Sequence, residues 1–276
     1  MMVNVFLAII KIFFGIIGRS KALIADGLNS FSDVITSIIV LISIYYASEP
    51  PDKDHPYGHG QLEAISGNSI GLILVITSVL LLHENISSIF KGKELIVPNV
   101  STIYVVIISI IIKSILYIYK IRMGIRLNNI AIIADAKDHK SDVISSTGVL
   151  IGIFLAIKIN PIFDIIAGII VALLIGKEGV GIIFDTSNKI MDKQDDELLC
   201  DIKNIVMNDK RVYNVHNLMM KSSGNKIFLY FHIRVDKLLT IESSHIIIDE
   251  IVLKIRTKHD NIAGITIHTD PLREDL

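Results

Sequence analysis

The chain predicts an α-helical membrane protein of six transmembrane helices, followed by a small α+β domain of order αββαβ. Three observations carry this reading. Hydrophobic residues make up 51% of the 276, and the mean hydropathy is +0.57, which sets the chain apart from soluble globular proteins. The apolar residues gather into long runs before residue 186, and the composition beyond that point is that of a soluble domain. A formal charge of −1 offers no basic surface to a nucleic acid. The single cysteine, Cys200, excludes a disulfide framework and a multi-cysteine zinc site, fits a reducing compartment, and reads as an inert small apolar residue.

The first run, residues 2–18, is apolar except for Asn4 and Lys11. A signal peptide is the alternative. No basic segment precedes the run, and Gly18-Arg19-Ser20-Lys21 leads into the next apolar stretch without a small-residue cleavage site. Further runs follow at 23–47, 66–90, 100–120, 129–157 and 162–184. Each approaches or exceeds the roughly 20 residues that cross a bilayer. Six spans put both termini on one side, and the second and fifth helices then run in opposite directions. Lys120, Arg122 and Arg126, together with the soluble tail, argue for cytoplasmic termini, whereas Arg19, Lys21, Lys91 and Lys93 count the other way. The expected location is the cell membrane, with membrane lipid as a partner of the helices.

Acids inside these runs point to function. Ala25-Asp26-Gly27-Leu28-Asn29-Ser30-Phe31-Ser32-Asp33-Val34-Ile35 recurs 109 positions later in Ala134-Asp135-Ala136-Lys137-Asp138-His139-Lys140-Ser141-Asp142-Val143-Ile144. A charge at bilayer depth is costly, so intramembrane acids mark an ion site or a proton path. Asp26, Asn29 and Asp33 share one helical face, as do Asp135, Asp138 and Asp142. If the faces meet, Asn29, Asp33, Asp138 and Asp142 offer four oxygen-bearing side chains to a divalent cation. The opposed motif helices are consistent with an inverted repeat of three helices plus three. His139 and Lys140 point away from the face of Asp138, and Ser30, Ser32 and Ser141 read as packing or supporting groups rather than ligands.

Between the second and third spans, Pro50-Pro51-Asp52-Lys53-Asp54-His55-Pro56-Tyr57-Gly58-His59-Gly60 stops both helices. Asp52, His55 and His59 are spaced to bind a metal, and a polar membrane-edge loop with incidental histidines is the other reading left open. Residues 1–186 then form the transmembrane domain and residues 187–276 the soluble one. In the latter, Met191 to Glu197 is the linker and helix start. Val212 to Lys221 and Lys226 to Val235 alternate as a hairpin around Ser222-Ser223-Gly224-Asn225. Ser243 to Lys258 follows as an amphipathic helix, and Gly264 to His268 as a final strand. His216, His232, His245 and His268, with Asp270, lie on or just beyond these elements. They are scattered surface histidines unless the fold gathers them for zinc or a similar metal.

The paired A-D-x-x-x-x-x-S-D helices, the H-P-Y-G-H-G loop and the ending G-I-T-I-H-T-D-P together resemble the cation diffusion facilitator family of divalent-metal exporters, over essentially the whole chain. The resemblance implies a homodimer of six-helix protomers with cytoplasmic ferredoxin-like domains, moving a divalent cation outward against protons by alternating access. It implies a transport site at Asn29, Asp33, Asp138 and Asp142, a loop site at Asp52, His55 and His59, and a cytoplasmic site at His216, His232, His245, His268 and Asp270. Zinc-transporting members resemble one another in carrying histidine where Asp138 stands. The oxygen-only set here suits Mn²⁺ and is similar to that of the manganese branch. Gln61 stands where many members have a lysine, which implies a missing charged contact.

These residues give the expectation of a Mn²⁺/H⁺ antiporter without a catalytic cofactor. Three carboxylates against a 2+ ion leave one negative charge in excess, so one acid takes a proton as the metal leaves. A Zn²⁺, Fe²⁺, Co²⁺ or Cd²⁺ exporter is the alternative within the class. An intramembrane metallohydrolase lacks H-E-x-x-H and any nucleophile-base pair, so no enzyme is expected. A non-transporting membrane metal sensor has little need of midplane charge.

Overall fold

The structure, a computed structural model, describes residues 2–90, 96–127 and 130–272, and only the backbone of residues 130–132, 134 and 135. Lys91, Lys93 and the Asp135 carboxylate lie outside the described residues. Six helices come first: α1 (Met2–Ile17), α2 (Lys21–Ala47), α3 (Gln61–Phe90), α4 (Ser101–Arg126), α5 (Ile130–Lys158) and α6 (Ile162–Ile190). Five of these, α2 to α6, are long and apolar enough to cross a membrane, while α1 has 16 residues. The helices outrun the apolar stretches that announce them, because backbone hydrogen bonding continues into polar ends such as Gln61-Leu62-Glu63 and Ser187-Asn188-Lys189. The chain forms two compact units, one of residues 1–39 and 69–183, the other of residues 40–68 and 184–276.

In the first unit the usual distribution of polarity is inverted. Phe6, Ile9, Phe13, Ile108, Phe154 and Leu173 are among many large apolar side chains left exposed, while Lys11, Asp26, Ser30, Lys113, Ser146 and Asp164 are buried. That is the pattern expected where lipid is the solvent and charge must find partners inside. Asp164 on α6 illustrates the partnering. It accepts from Ser20 Oγ at 2.6 Å and from the Lys21 backbone N–H at 2.5 Å, so an acid from another helix satisfies the first turn of α2. The apolar core between helices includes Leu23, Leu74, Val106, Ile153 and Ile175. At Gly152 a Cβ would lie 2.3 Å from the Cβ of Ala167, so α5 and α6 approach as closely as glycine allows.

The second unit holds α7 (Asp196–Met207), β1 (Asn214–Ser223), β2 (Lys226–Val235), α8 (Ile241–Lys258) and β3 (Ile262–Pro271). This is the expected αββαβ order. Asp195 caps α7, accepting from the Glu197 and Leu198 N–H groups at 3.1 Å each. The strand order is β1-β2-β3, antiparallel between the first pair and parallel between the second. Gly224, at φ +60°, supplies the left-handed residue in the hairpin turn. Ile202 and Val206 of α7 and Ile247, Ile251 and Ile255 of α8 pack on Leu229, Phe231 and Ile233 of the central strand.

Candidate metal centres

The first centre lies among the transmembrane helices. Asn29 and Asp33 come from α2, Asp138 and Asp142 from α5. Asp33, Asp138 and Asp142 line one cavity of about 300 Å³, together with Thr36, His139 and Glu178. Asn29 lines a neighbouring cavity of about 480 Å³, whose wall shares Ser141, Asp142 and Glu178 with the first. The three acids therefore share a chamber, and the amide oxygen belongs to the adjoining one.

Lys113 of α4 pairs with two of these acids. Its side chain is 1% exposed, with Nζ 2.5 Å from Asp142 Oδ2 and 3.8 Å from Asp33 Oδ2. A second buried lysine, Lys11, ion-pairs with Asp26 at 2.7 Å and donates to Ser30 Oγ at 3.2 Å. Asp26 is thus engaged by α1 despite sharing the motif face with Asn29 and Asp33. His139 also differs from expectation. It lines the same cavity as Asp138 and reaches Asp142, the residue three positions on, with Nδ1 3.8 Å from Oδ2, and its Nε2 is 2.9 Å from Lys120 Nζ. The signals in the sequence are the lone charges inside apolar runs, Lys11 and Lys113, the Lys177-Glu178 pair in the last run, and the i,i+3 spacing of His139 to Asp142.

The second centre is the loop after α2. Asp52 Oδ1 is 3.2 Å from His55 Nδ1, Asp52 Oδ2 is 3.3 Å from His59 Nε2, and the two rings are 4.4 Å apart. The His55 N–H donates to Asp52 Oδ1 at 2.5 Å. That bond, aided by the His55 ring, holds the Asp52 carboxyl below the usual range. The loop is packed on the β1–β2 hairpin. Tyr57 stacks edge-on against Phe228 at 5.0 Å, and Ser223 Oγ donates to the Tyr57 carbonyl at 3.1 Å. A Cβ at Gly60 would lie 2.4 Å from the Ser223 backbone, so only glycine fits. Gln61 donates to the Ser222 carbonyl at 2.7 Å, so this position contacts the hairpin turn through a neutral amide.

The third centre follows from strand register. His216 pairs with His232 across β1 and β2, and His232 pairs with His268 across β2 and β3. Three imidazoles thus form one rung, with Asp270 two residues further along β3 on the same face. Asp270 Oδ2 is 3.1 Å from His216 Nε2 and 3.2 Å from His232 Nδ1, and its other oxygen is 3.4 Å from His268 Nε2. Burial raises the Asp270 carboxyl, but the His232 hydrogen bond and the charges of His268, His232 and His216 outweigh it and hold the group below its usual range. His245 lies instead on α8, paired with Asp249 at 3.4 Å.

Among the described residues, Asp52, His55 and His59 form one triad and His216, His232 and Asp270 another, each with ligand atoms within 4.8 Å of one another. In each, one buried ring nitrogen, Nδ1 of His59 or of His216, has no hydrogen-bond partner. Mixed nitrogen and carboxylate donors of this kind fit a divalent transition metal.

Comparison with known proteins places this geometry in context. The family model described as the cation efflux transmembrane domain matches residues 1–191, and that of the cation efflux protein cytoplasmic domain matches residues 194–272. The manganese efflux system protein MneP of Bacillus subtilis (strain 168) is 38% identical, over 99% of this chain and 94% of its own. The uncharacterized transporter MJ0449 of Methanocaldococcus jannaschii is 35% identical, over 97% of this chain and 94% of its own. The magnetosome protein MamB of Magnetospira sp. (strain QH-2) is 31% identical, over 94% and 88% respectively.

Proposed function

The chain belongs to the cation efflux family, and from that premise we propose that it exports Mn²⁺ in exchange for protons, by alternating access, as a homodimer. That it is a multi-pass divalent-cation transporter with a cytoplasmic C-terminal domain, and not an enzyme, follows from family membership. The finer reading rests on the chamber. Asp33, Asp138 and Asp142 present hard oxygen donors around one cavity, and Asn29 adds a neutral oxygen next door. Such a set suits Mn²⁺, which does not depend on nitrogen or sulfur ligands. The name of the Bacillus relative supports the same metal.

Charge supports the exchange. Four carboxylates, Asp33, Asp138, Asp142 and Glu178, line the chamber, and Lys113 is the ammonium paired with two of them. Loss of a divalent ion leaves two more negative charges uncompensated among these acids. In a low dielectric that imbalance favours proton uptake as the metal leaves. The soluble domain, proposed as residues 187–276 beside a transport domain of residues 1–186, is small enough to gain from pairing with a second copy. Its cluster of His216, His232, His268 and Asp270, with His245 nearby in sequence, and the loop triad of Asp52, His55 and His59 are assigned to sensing cytoplasmic metal.

A second reading, Zn²⁺ export, is favoured by one observation: His139 lines the same chamber and brings a ring nitrogen to within 3.8 Å of Asp142. The exchange is tested with purified protein in sealed vesicles. Mn²⁺ uptake is expected to rise with an imposed pH gradient, and uptake indifferent to that gradient would remove proton coupling.

A further inference from the structure

Lys113 has a role that the ligand set alone does not supply. Its ammonium lies between acids contributed by the two copies of the repeated motif, 2.5 Å from Asp142 on α5 and 3.8 Å from Asp33 on α2. An ion bridging those motifs needs the same carboxylate lone pairs. We propose that Lys113 is a tethered competitor of the transported ion: its ammonium holds Asp142 and Asp33 when the metal is away, steps aside on loading, and returns to speed release. The proposal rests on the assignment of Asp33 and Asp142 to the transport site.

The surroundings separate this pair from a purely structural one. Lys11 and Asp26 have side chains 1% and 3% exposed, and Ser30 and Ser146 complete their contacts. Lys113 is as buried, at 1%, yet its partners Asp142 and Asp33 are 17% and 31% exposed and line a cavity an ion can occupy. A buried ammonium must keep a counter-ion, and a divalent ion close by in low dielectric repels it strongly. Loading therefore exchanges one cation for another on the same oxygens. Lysine suits this duty because its ammonium is a point charge on a flexible stem, whereas arginine locks carboxylates in a two-pronged grip.

The test is Mn²⁺ binding to the purified full chain by calorimetry, with transport in vesicles alongside. Lys113→Gln is expected to bind Mn²⁺ about tenfold more tightly and to export it with lower KM and lower kcat, because the competitor is gone and release slows. Lys113→Arg, which retains the charge, is expected to bind more weakly than the natural protein, because its grip on Asp142 is harder to displace. A structural role predicts the reverse order, with arginine the milder change and glutamine weakening the site. Equal or weaker binding in Lys113→Gln, or equal or tighter binding in Lys113→Arg, overturns the proposal. Asp142→Ala distinguishes this from failure of the site itself: if that variant binds Mn²⁺ normally, the transport-site assignment falls and this inference with it.

Discussion

Ser146 on α5 donates its hydroxyl to both carboxylate oxygens of Asp26 on α2, at 3.0 and 3.1 Å. The helices that carry the two motif copies are thereby joined through the first acid of one copy. Lys11 neutralises that acid from α1 at 2.7 Å. Removing one member of a buried pair strands the other charge, so Lys11→Met is expected to cost about 3 kcal/mol. The paired change Lys11→Met with Asp26→Leu is expected to recover most of that loss. Thermal unfolding of the three proteins in detergent checks both statements, and a Lys11→Met protein that melts normally would show that the pair holds nothing together.

The soluble domain has its own acid-sensitive tie. Asp209, just after α7, receives two bonds from the Arg211 guanidinium at 2.7 and 2.9 Å and one from Lys254 of α8 at 3.3 Å. The Arg211 bonds, aided by Lys254 and against the effect of burial, hold its carboxyl well below the usual carboxylate range. A carboxyl depressed in the folded state stabilises above its unfolded value, near pH 3.9, and that stabilisation is lost as pH falls through the folded value. Asp209→Asn is thus expected to lose about 2 kcal/mol at pH 7. The difference from the natural protein should begin to shrink as pH falls below about 4 and vanish at still lower pH, as denaturant midpoints across pH would show.

His232 stands at the centre of the imidazole rung, with its ring 5.2 Å from that of His216 and 4.7 Å from that of His268. If this cluster senses metal and acts on transport at a distance, changing His232 and His268 together to alanine raises the metal concentration at half-maximal transport, on the order of tenfold. Transport rate against Mn²⁺ concentration in vesicles measures it. An unchanged half-point would return these residues to ordinary surface histidines.

Much of this architecture was legible in the chain. Period-two alternation gives the faces of β2, while a bulge between His216 and Met219 shifts the face of β1, so the alignment of His216, His232 and His268 follows from the register and not from alternation alone. Apolar runs announced all six helices, though not their polar ends, which propagate by backbone hydrogen bonds rather than by burial. What stayed hidden was long-range pairing. Lys11 and Lys113 look like interruptions in apolar runs, and nothing local names Asp26 or Asp142 as their partners, 15 and 29 residues away. The same holds for the loop, where Tyr57 finds Tyr230 across 173 positions of sequence. His139 is legible by helical spacing: three positions before Asp142 on α5, it lies one turn from that acid.

Whether the oxygen-rich chamber selects Mn²⁺ is decided by uptake into sealed vesicles holding the purified protein under a pH gradient. Mn²⁺ and Zn²⁺ are compared side by side, with Asp142→Ala as the blank. Mn²⁺ is expected to move well ahead of Zn²⁺, and only with Asp142 intact. Zn²⁺ moving as fast or faster would contradict it, leaving a divalent-cation exporter whose choice of metal is made elsewhere, with His139 the first residue to change.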